Sequence, residues 1–238
     1  MMRPRSEKLN VLFEDNHLLV VNKPPLLPTM GVKEGELSLL SQSRQYIKQK
    51  YNKPGNVYLG IVSRLDAFVS GVIVLAKTSK AAGRLSEQFR NRTADKTYWA
   101  IIPDVLTEEN GRLEDWVIKN ESLHRMIVIP KGKKSPAGAK VALLDYKTIG
   151  IDNTNRRPAT KLLEIKLETG RKHQIRVQLE NAGASILGDR KYGSELPFKR
   201  GIALHSRELS IEHPISRVIQ SFQAETPSWW NIDQYSLS

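Results

Sequence analysis

Short apolar runs broken by turn residues make up most of this chain, a pattern that predicts many strands and few helices. LNVLFE (9–14) and HLLVVNK (17–23) are two such runs, and Asp15-Asn16 between them reads as a hairpin turn. Lys23-Pro24-Pro25 ends the second, because proline has no N–H to give to a ladder. From Leu37 to Tyr51 the pattern changes: Leu39, Leu40, Tyr46 and Ile47 recur near helical spacing among polar residues, as on a surface helix. NVYLGIV (56–62) and GVIVLAK (71–77) read as buried strands, and Thr78-Ser79 supplies an N-cap for a helix running to about Phe89.

The second half continues in the same way. TYWAII (97–102), RLEDWVI (112–118) and HRMIVI (124–129) read as strands, followed by the basic loop KGKKSPAG (131–138). VALLDYKTIG (141–150) and KLLEIKLETG (161–170) are two further strands joined by the polar DNTNRRPA (152–159). Arg171 to Asn181 has helical spacing, with Ile175, Val177 and Leu179 apolar and Gly183 at the expected stop. IALHSRELSI (202–211) is a late strand. No linker and no internal repeat divides the chain, so a single domain over 1–238 with its core at about 9–226 is expected. The fold class is α+β, a mixed and largely antiparallel sheet with a few covering helices.

Composition narrows the class. Hydrophobic residues make up 39% of the 238 and charged residues 26%, the balance of a soluble globular protein. There is no cysteine, which excludes disulfides and thiolate metal sites and suits a reducing, cytoplasmic compartment. The N-terminal MMRPRSEKLN has no apolar h-region, and no apolar run reaches the roughly 18–20 residues of a membrane helix. A formal net charge of +12 points to a polyanionic partner. The basic residues come in short groups, Lys131 to Lys134, Arg156-Arg157, Arg171-Lys172, Arg190-Lys191 and Lys199-Arg200, spread as on a folded face that meets nucleic acid phosphates.

Most cofactor chemistry lacks its motif. The five histidines show no metal-ligand spacing, so no metal is expected. Neither GxGxxG nor GxxxxGK[ST] occurs, which argues against a nucleotide cofactor, and Ser70 lacks the frame of a nucleophile elbow. What stands out is VSRLDAFVSG (62–71), where Asp66 lies between two apolar segments. Such an acid is either a turn residue bonding local N–H groups or a carboxylate held in a site. Arg64 and Asp66 share strand parity, so both project to one side if the strand continues. GRKHQIRVQL (170–179) gathers Arg171, His173, Gln174 and Arg176, a donor cluster expensive to bury unless an anion meets it. An arginine paired with Asp66 would keep its carboxylate ionised.

These segments resemble the RluA-type RNA pseudouridine synthases, in order and over nearly the full length. FEDNHLLVVNKPP is similar to the family's first strands and the Lys-Pro after them, and RLDAFVSGVIVLAK to its R-L-D-x-x-T-S-G motif. KTYWAII resembles the K-x-Y-x-A segment, and TGRKHQIRVQL with ILGDRKYG the G-R-[TS]-H-Q-[IL]-R and G-D-x-x-Y-G signatures. LHSRELSIEHP (204–214) is similar to its late strand. Five such matches in one order argue against chance.

The resemblance implies a pseudouridine-synthase-like fold with a central basic cleft, in the catalytic-domain-only form without a separate S4 domain. It implies isomerisation of uridine in ribosomal or transfer RNA, with no cofactor. Asp66 matches the catalytic nucleophile, Tyr98 the residue that packs on the target base, and Arg176 the basic partner of the aspartate. Arg64, Arg171, His173 and Gln174 are the implied RNA-contacting or loop-positioning residues. A monomer is the default. The chain departs from the family at Ser63, Ala67, Val69, Lys172, Gln178 and Ala184-Ser185. Those departures keep open a catalytically inactive RNA-binding relative. A glycosidase-like hydrolase would need a second carboxylate near Asp66, and the sequence offers no obvious one.

Overall fold

The computed structural model describes residues 8–33, 35–133, 136–154 and 158–237. The expectations for the first seven residues, for Lys134 and for Arg156-Arg157 lie outside the described residues. The chain forms two compact units, one of residues up to Lys96 with His205–Thr226, the other of Thr97–Leu204 with the residues from Pro227 onward.

The first unit is built on β4 (Ser70–Ala76), every residue of which is buried. β1 (Asn10–Glu14) and β2 (Leu18–Lys23) form the expected antiparallel hairpin. Its turn is closed by the Asp15 carboxylate, which accepts the His17 and Leu18 N–H groups at 2.7 and 2.6 Å. β2 runs antiparallel along β4 from Leu18 opposite Ala76 to Lys23 opposite Gly71. β3 (Gly60–Ile61) pairs antiparallel with β4 at Ala76 and Leu75, and β10 (Leu204–Glu212) pairs parallel with it at Ser70 and Gly71. NVYLGIV therefore supplies only a two-residue strand, because β10 takes the other end of β4. β11 (Ile219–Gln223), not anticipated from the sequence, pairs antiparallel with β10; only Phe222 of its five residues is buried, too weak a pattern to read.

Both faces of β2 and β4 are covered, which is why their sequences are apolar without interruption. Leu18, Val20, Val72 and Val74 pack against Ala81 and Leu85 of α2 (Ser79–Asn91). Leu19, Val21, Ile73 and Leu75 pack against Leu39 and Ile47 of α1 (Leu39–Lys50). Each such aliphatic side chain contributes about 1.5–3 kcal/mol on burial. Ser38 starts α1 with a reciprocal capping box to Ser41, and Thr78 caps α2 through the Ala81 N–H, as its sequence suggests.

In the second unit the strand order is β5 (Asp95–Pro103), β9 (Thr160–Leu167), β8 (Lys140–Asp152), β6 (Asn110–Asn120) and β7 (Arg125–Val128), antiparallel throughout. β12 (Tyr235–Leu237) adds to β8 beyond the last rung of β6. Val177 of α3 (Gln174–Asn181) packs with Val117, Met126, Ala142 and Tyr192. The fold is thus α+β with a mixed sheet. Helix α3 begins at Gln174 rather than Arg171, because His173 takes a left-handed conformation (φ 52°) and the Gln174 side chain holds the Arg171 N–H at 2.9 Å. It ends as expected: Gly183 donates to the Glu180 carbonyl at 2.9 Å and Ala184 to Leu179 at 2.8 Å, a Schellman motif with Gly183 at positive φ. Among the described residues no helix is long and apolar enough to cross a membrane.

Candidate active site

Asp66 lies in an irregular loop between β3 and β4, so the strand parity expected to align it with Arg64 does not apply. The chain turns immediately after it. The Val69 N–H donates to the Asp66 carbonyl at 3.1 Å, and the Phe68 N–H donates to Asp66 Oδ1 at 3.1 Å. That second bond fixes the carboxylate relative to its own turn. Arg64 is exposed, whereas Leu65 tucks against the core between the sheet and α1.

Two buried side chains brace the loop, one from the last residue of β2 and one from the segment after it. The Thr29 hydroxyl donates to the Leu65 carbonyl at 2.8 Å and accepts the Leu65 N–H at 3.3 Å. Lys23, completely buried, donates through Nζ to the carbonyls of Pro24 and Leu27 at 2.9 Å and of Ala67 at 3.3 Å. Burial pushes its ammonium down to about 7, and the Asp66 charge opposes that fall. Lys23 and Thr29 thus hold the residues on either side of Asp66. Sequence reasoning passed over both, reading Lys23-Pro24-Pro25 only as a strand stop. A signal was present, since Lys23 continues the Leu19, Val21 parity of a strand whose two faces are apolar.

Gly71 completes the motif. Its φ is 116°, and a Cβ there would lie 2.2 Å from the Ser206 carbonyl oxygen and 2.5 Å from its nitrogen. Only glycine lets β4 approach β10 this closely.

The second unit carries the other candidates. Tyr98 sits on β5 opposite Ile165, half-buried, on a strand anchored by the buried Ala100, Ile101 and Ile102. Arg176 is buried in α3 and meets Asp189 in a two-pronged ion pair, Nε to Oδ2 at 2.6 Å and Nη2 to Oδ1 at 2.7 Å. Its guanidinium lies 4.7 Å from the centre of the Tyr192 ring. The Tyr192 hydroxyl accepts the Met126 N–H at 3.1 Å and is bonded to His173 Nδ1 at 2.8 Å, so α3, β7 and the Gly-Asp turn converge on one tyrosine. Burial pushes the Tyr192 phenol up. Gln174 is buried: Oε1 accepts from the Thr169 hydroxyl and the Arg171 N–H, and Nε2 donates to the Leu143 carbonyl. Arg171 donates through Nε to the Val141 carbonyl at 2.9 Å. Arg171, His173, Gln174 and Arg176 are therefore gathered in one unit, and Arg64 and Asp66 in the other.

Several departures from the family pattern have a structural account. Gln178 is buried and donates to the Leu113 and Ala142 carbonyls and to Asp115, fastening α3 to β6 and β8. Val69 is buried, Ala184 is buried, and Ser185 donates to the Tyr192 carbonyl at 2.6 Å. Lys172 is exposed.

A family model described as RNA pseudouridylate synthase matches residues 17–181. An uncharacterised RNA pseudouridine synthase of Bacillus subtilis, YhcT, is 32% identical over 225 residues, covering 94% of this chain and 71% of the relative. The ribosomal large subunit pseudouridine synthase D of Zymomonas mobilis is 35% identical over 240 residues, with coverage of 94% and 71%. The dual-specificity RNA pseudouridine synthase RluA of Vibrio parahaemolyticus is 31% identical, with coverage of 92% and 83%. The solved structure of human RNA Pseudouridylate Synthase Domain Containing 4 shares the fold, with a TM-score of 0.77, 24% identity and coverage of 94% and 92%. With the motif order and these matches in agreement, the chain belongs to the RluA-type RNA pseudouridylate synthases, a family of isomerases.

Proposed function

We propose that this protein converts specific uridines of ribosomal or transfer RNA into pseudouridine, with Asp66 as the nucleophile. The observation that carries the reading is the construction of the Asp66 loop. A solvated turn acid needs no support, yet this one is flanked by two buried polar side chains, Lys23 and Thr29, each bonded to the adjoining backbone. Burying an ammonium costs several kcal/mol, a cost that makes sense where a carboxylate has to be held and kept charged.

The reaction breaks the N1–C1′ bond, turns the uracil and rejoins it through C5. Nothing is oxidised and no group enters from outside. An ionised carboxylate can attack C1′ or stabilise the cationic sugar left when the base departs. The target uridine is flipped from its stack to reach Asp66, and Tyr98 packs on its base. Arg176 is the basic partner of the Asp66 carboxylate in the reaction. The exposed Arg64, Arg171 and the loop at His173 and Gln174 contact or position the RNA, helped by the +12 charge. The protein acts as a monomer in the cytoplasm.

The test is a pseudouridine map of ribosomal and transfer RNA from cells with and without the gene. A site that disappears on deletion, and returns with the wild type but not with Asp66→Asn, supports both the activity and the nucleophile. A site restored by Asp66→Asn removes the proposed mechanism. Absence of any lost site, with RNA still bound, assigns the protein to the inactive RNA-binding alternative.

A further inference from the structure

Resting on the role given above to Arg176, we propose that Asp189 is a positioning residue that fixes the plane of the Arg176 guanidinium and thereby sets its orientation for the reaction. Guanidinium has five N–H donors in a rigid fork. Asp189 takes up one edge of that fork, through Nε at 2.6 Å and Nη2 at 2.7 Å. Two parallel bonds to one carboxylate fix the guanidinium plane as well as its distance. The remaining N–H donors of the planar fork are held in that same plane.

The carboxylate that does this is itself immobilised. Gly188 before it has φ 81°, and a Cβ there would approach Phe198 Cβ to 2.7 Å and the Gly201 carbonyl oxygen to 3.0 Å. The Asp189 N–H donates to the Ile186 carbonyl at 3.0 Å, and the Asp189 carbonyl accepts from Tyr192 at 2.9 Å and Ser194 at 3.1 Å. Tyr192, three residues on, lays its ring against the guanidinium, with its hydroxyl held by the Met126 N–H. A single turn therefore supplies the carboxylate that grips Arg176 and the ring beside it.

Stability alone is a poor reason for the pair. Both partners are almost wholly buried, at 3% and 1% side-chain exposure, and such an ion pair is often no more stabilising than apolar residues of the same volume. What the pair does provide is orientation. Held in two places by Asp189, the Arg176 guanidinium is kept in one orientation.

Two variants separate this from simple charge balance. Asp189→Asn keeps the volume but removes the two-pronged acceptor, and Asp189→Glu keeps the charge but displaces the fork by one methylene. Turnover and KM are measured on the unmodified transcript that the wild type converts, and folding is followed by circular dichroism. Both variants are expected to lower kcat about tenfold or more, with KM for RNA changed less than about twofold. In an Arg176→Met background, Asp189→Asn is expected to cost nothing further, because it acts through the arginine. Asp189→Glu with wild-type kcat would overturn the inference and leave charge balance as the role of Asp189. So would an equal loss on adding Asp189→Asn to Arg176→Met. A wild type that converts no uridine would instead remove the reading on which the inference rests, and the inference with it.

Discussion

Thr29 bonds both backbone groups of Leu65, the residue before Asp66: its hydroxyl donates to the carbonyl at 2.8 Å and accepts the N–H at 3.3 Å. Thr29 is itself only 4% exposed, so water offers those groups no easy replacement. Thr29→Val keeps the shape and deletes both bonds. A loss of about 1–2 kcal/mol of stability is expected, together with a severalfold fall in kcat, because Asp66 loses its upstream brace. Urea unfolding and single-turnover rates measure the two effects separately, and an unchanged rate would show that the brace does not act on Asp66.

Lys23 braces the other side. Lys23→Met removes the donor from the Pro24, Leu27 and Ala67 carbonyls, and a lower melting temperature and slower turnover are expected. The group also has a pH signature. Folded Lys23 releases its proton near 7, whereas the unfolded lysine holds it to about 10.5. Between those values the unfolded state binds more protons, so this residue makes stability rise with pH across that window and lowers it as pH falls through 7. The slope should be shallower in Lys23→Met when unfolding is measured from pH 7 to 10.

His205 predicts loss of stability on the acid side. It is completely buried, bonded through Nδ1 to the Ser70 hydroxyl at 2.8 Å and through Nε2 to the Ala224 carbonyl at 2.9 Å. A carbonyl only accepts, so Nε2 carries the proton and the neutral Nδ1 accepts from Ser70. Burial pushes the imidazole down to about 4 from 6.5. The contribution is present above pH 6.5 and is lost as pH falls through 4, about 3 kcal/mol in all. Denaturant midpoints at pH 7 and 4.5 should diverge less in His205→Gln than in the wild type.

Gly71→Ala tests the close approach of β4 to β10. The added methyl would collide with the Ser206 backbone at 2.2–2.7 Å, in a backbone conformation that side chains rarely adopt. A loss of about 3 kcal/mol or more is expected, seen as a lowered denaturant midpoint or insoluble protein.

What the sequence determined by itself is what depends on near neighbours. The apolar runs of β2 and β4 can be read in a window of a few residues, and the Thr78 cap of α2 and the Gly183 stop of α3 rest on hydrogen bonds within about five residues. The motif order was enough to place the chain in its family. Strand pairing was not legible in this way, because β10 joins β4 across more than a hundred intervening residues, and β11 offers a single buried side chain as a signal. The alignment of Arg64 with Asp66 was conditional on a continuing strand, but the chain leaves β3 after Ile61, and Thr29 and Lys23 bond the loop on either side of Asp66. Nor could the sequence say that Lys23 is buried or that Arg176 meets Asp189. A buried polar group takes whichever partner the closed fold brings within hydrogen-bond reach, and that choice belongs to the tertiary structure because desolvation is repaid only where the partner stands.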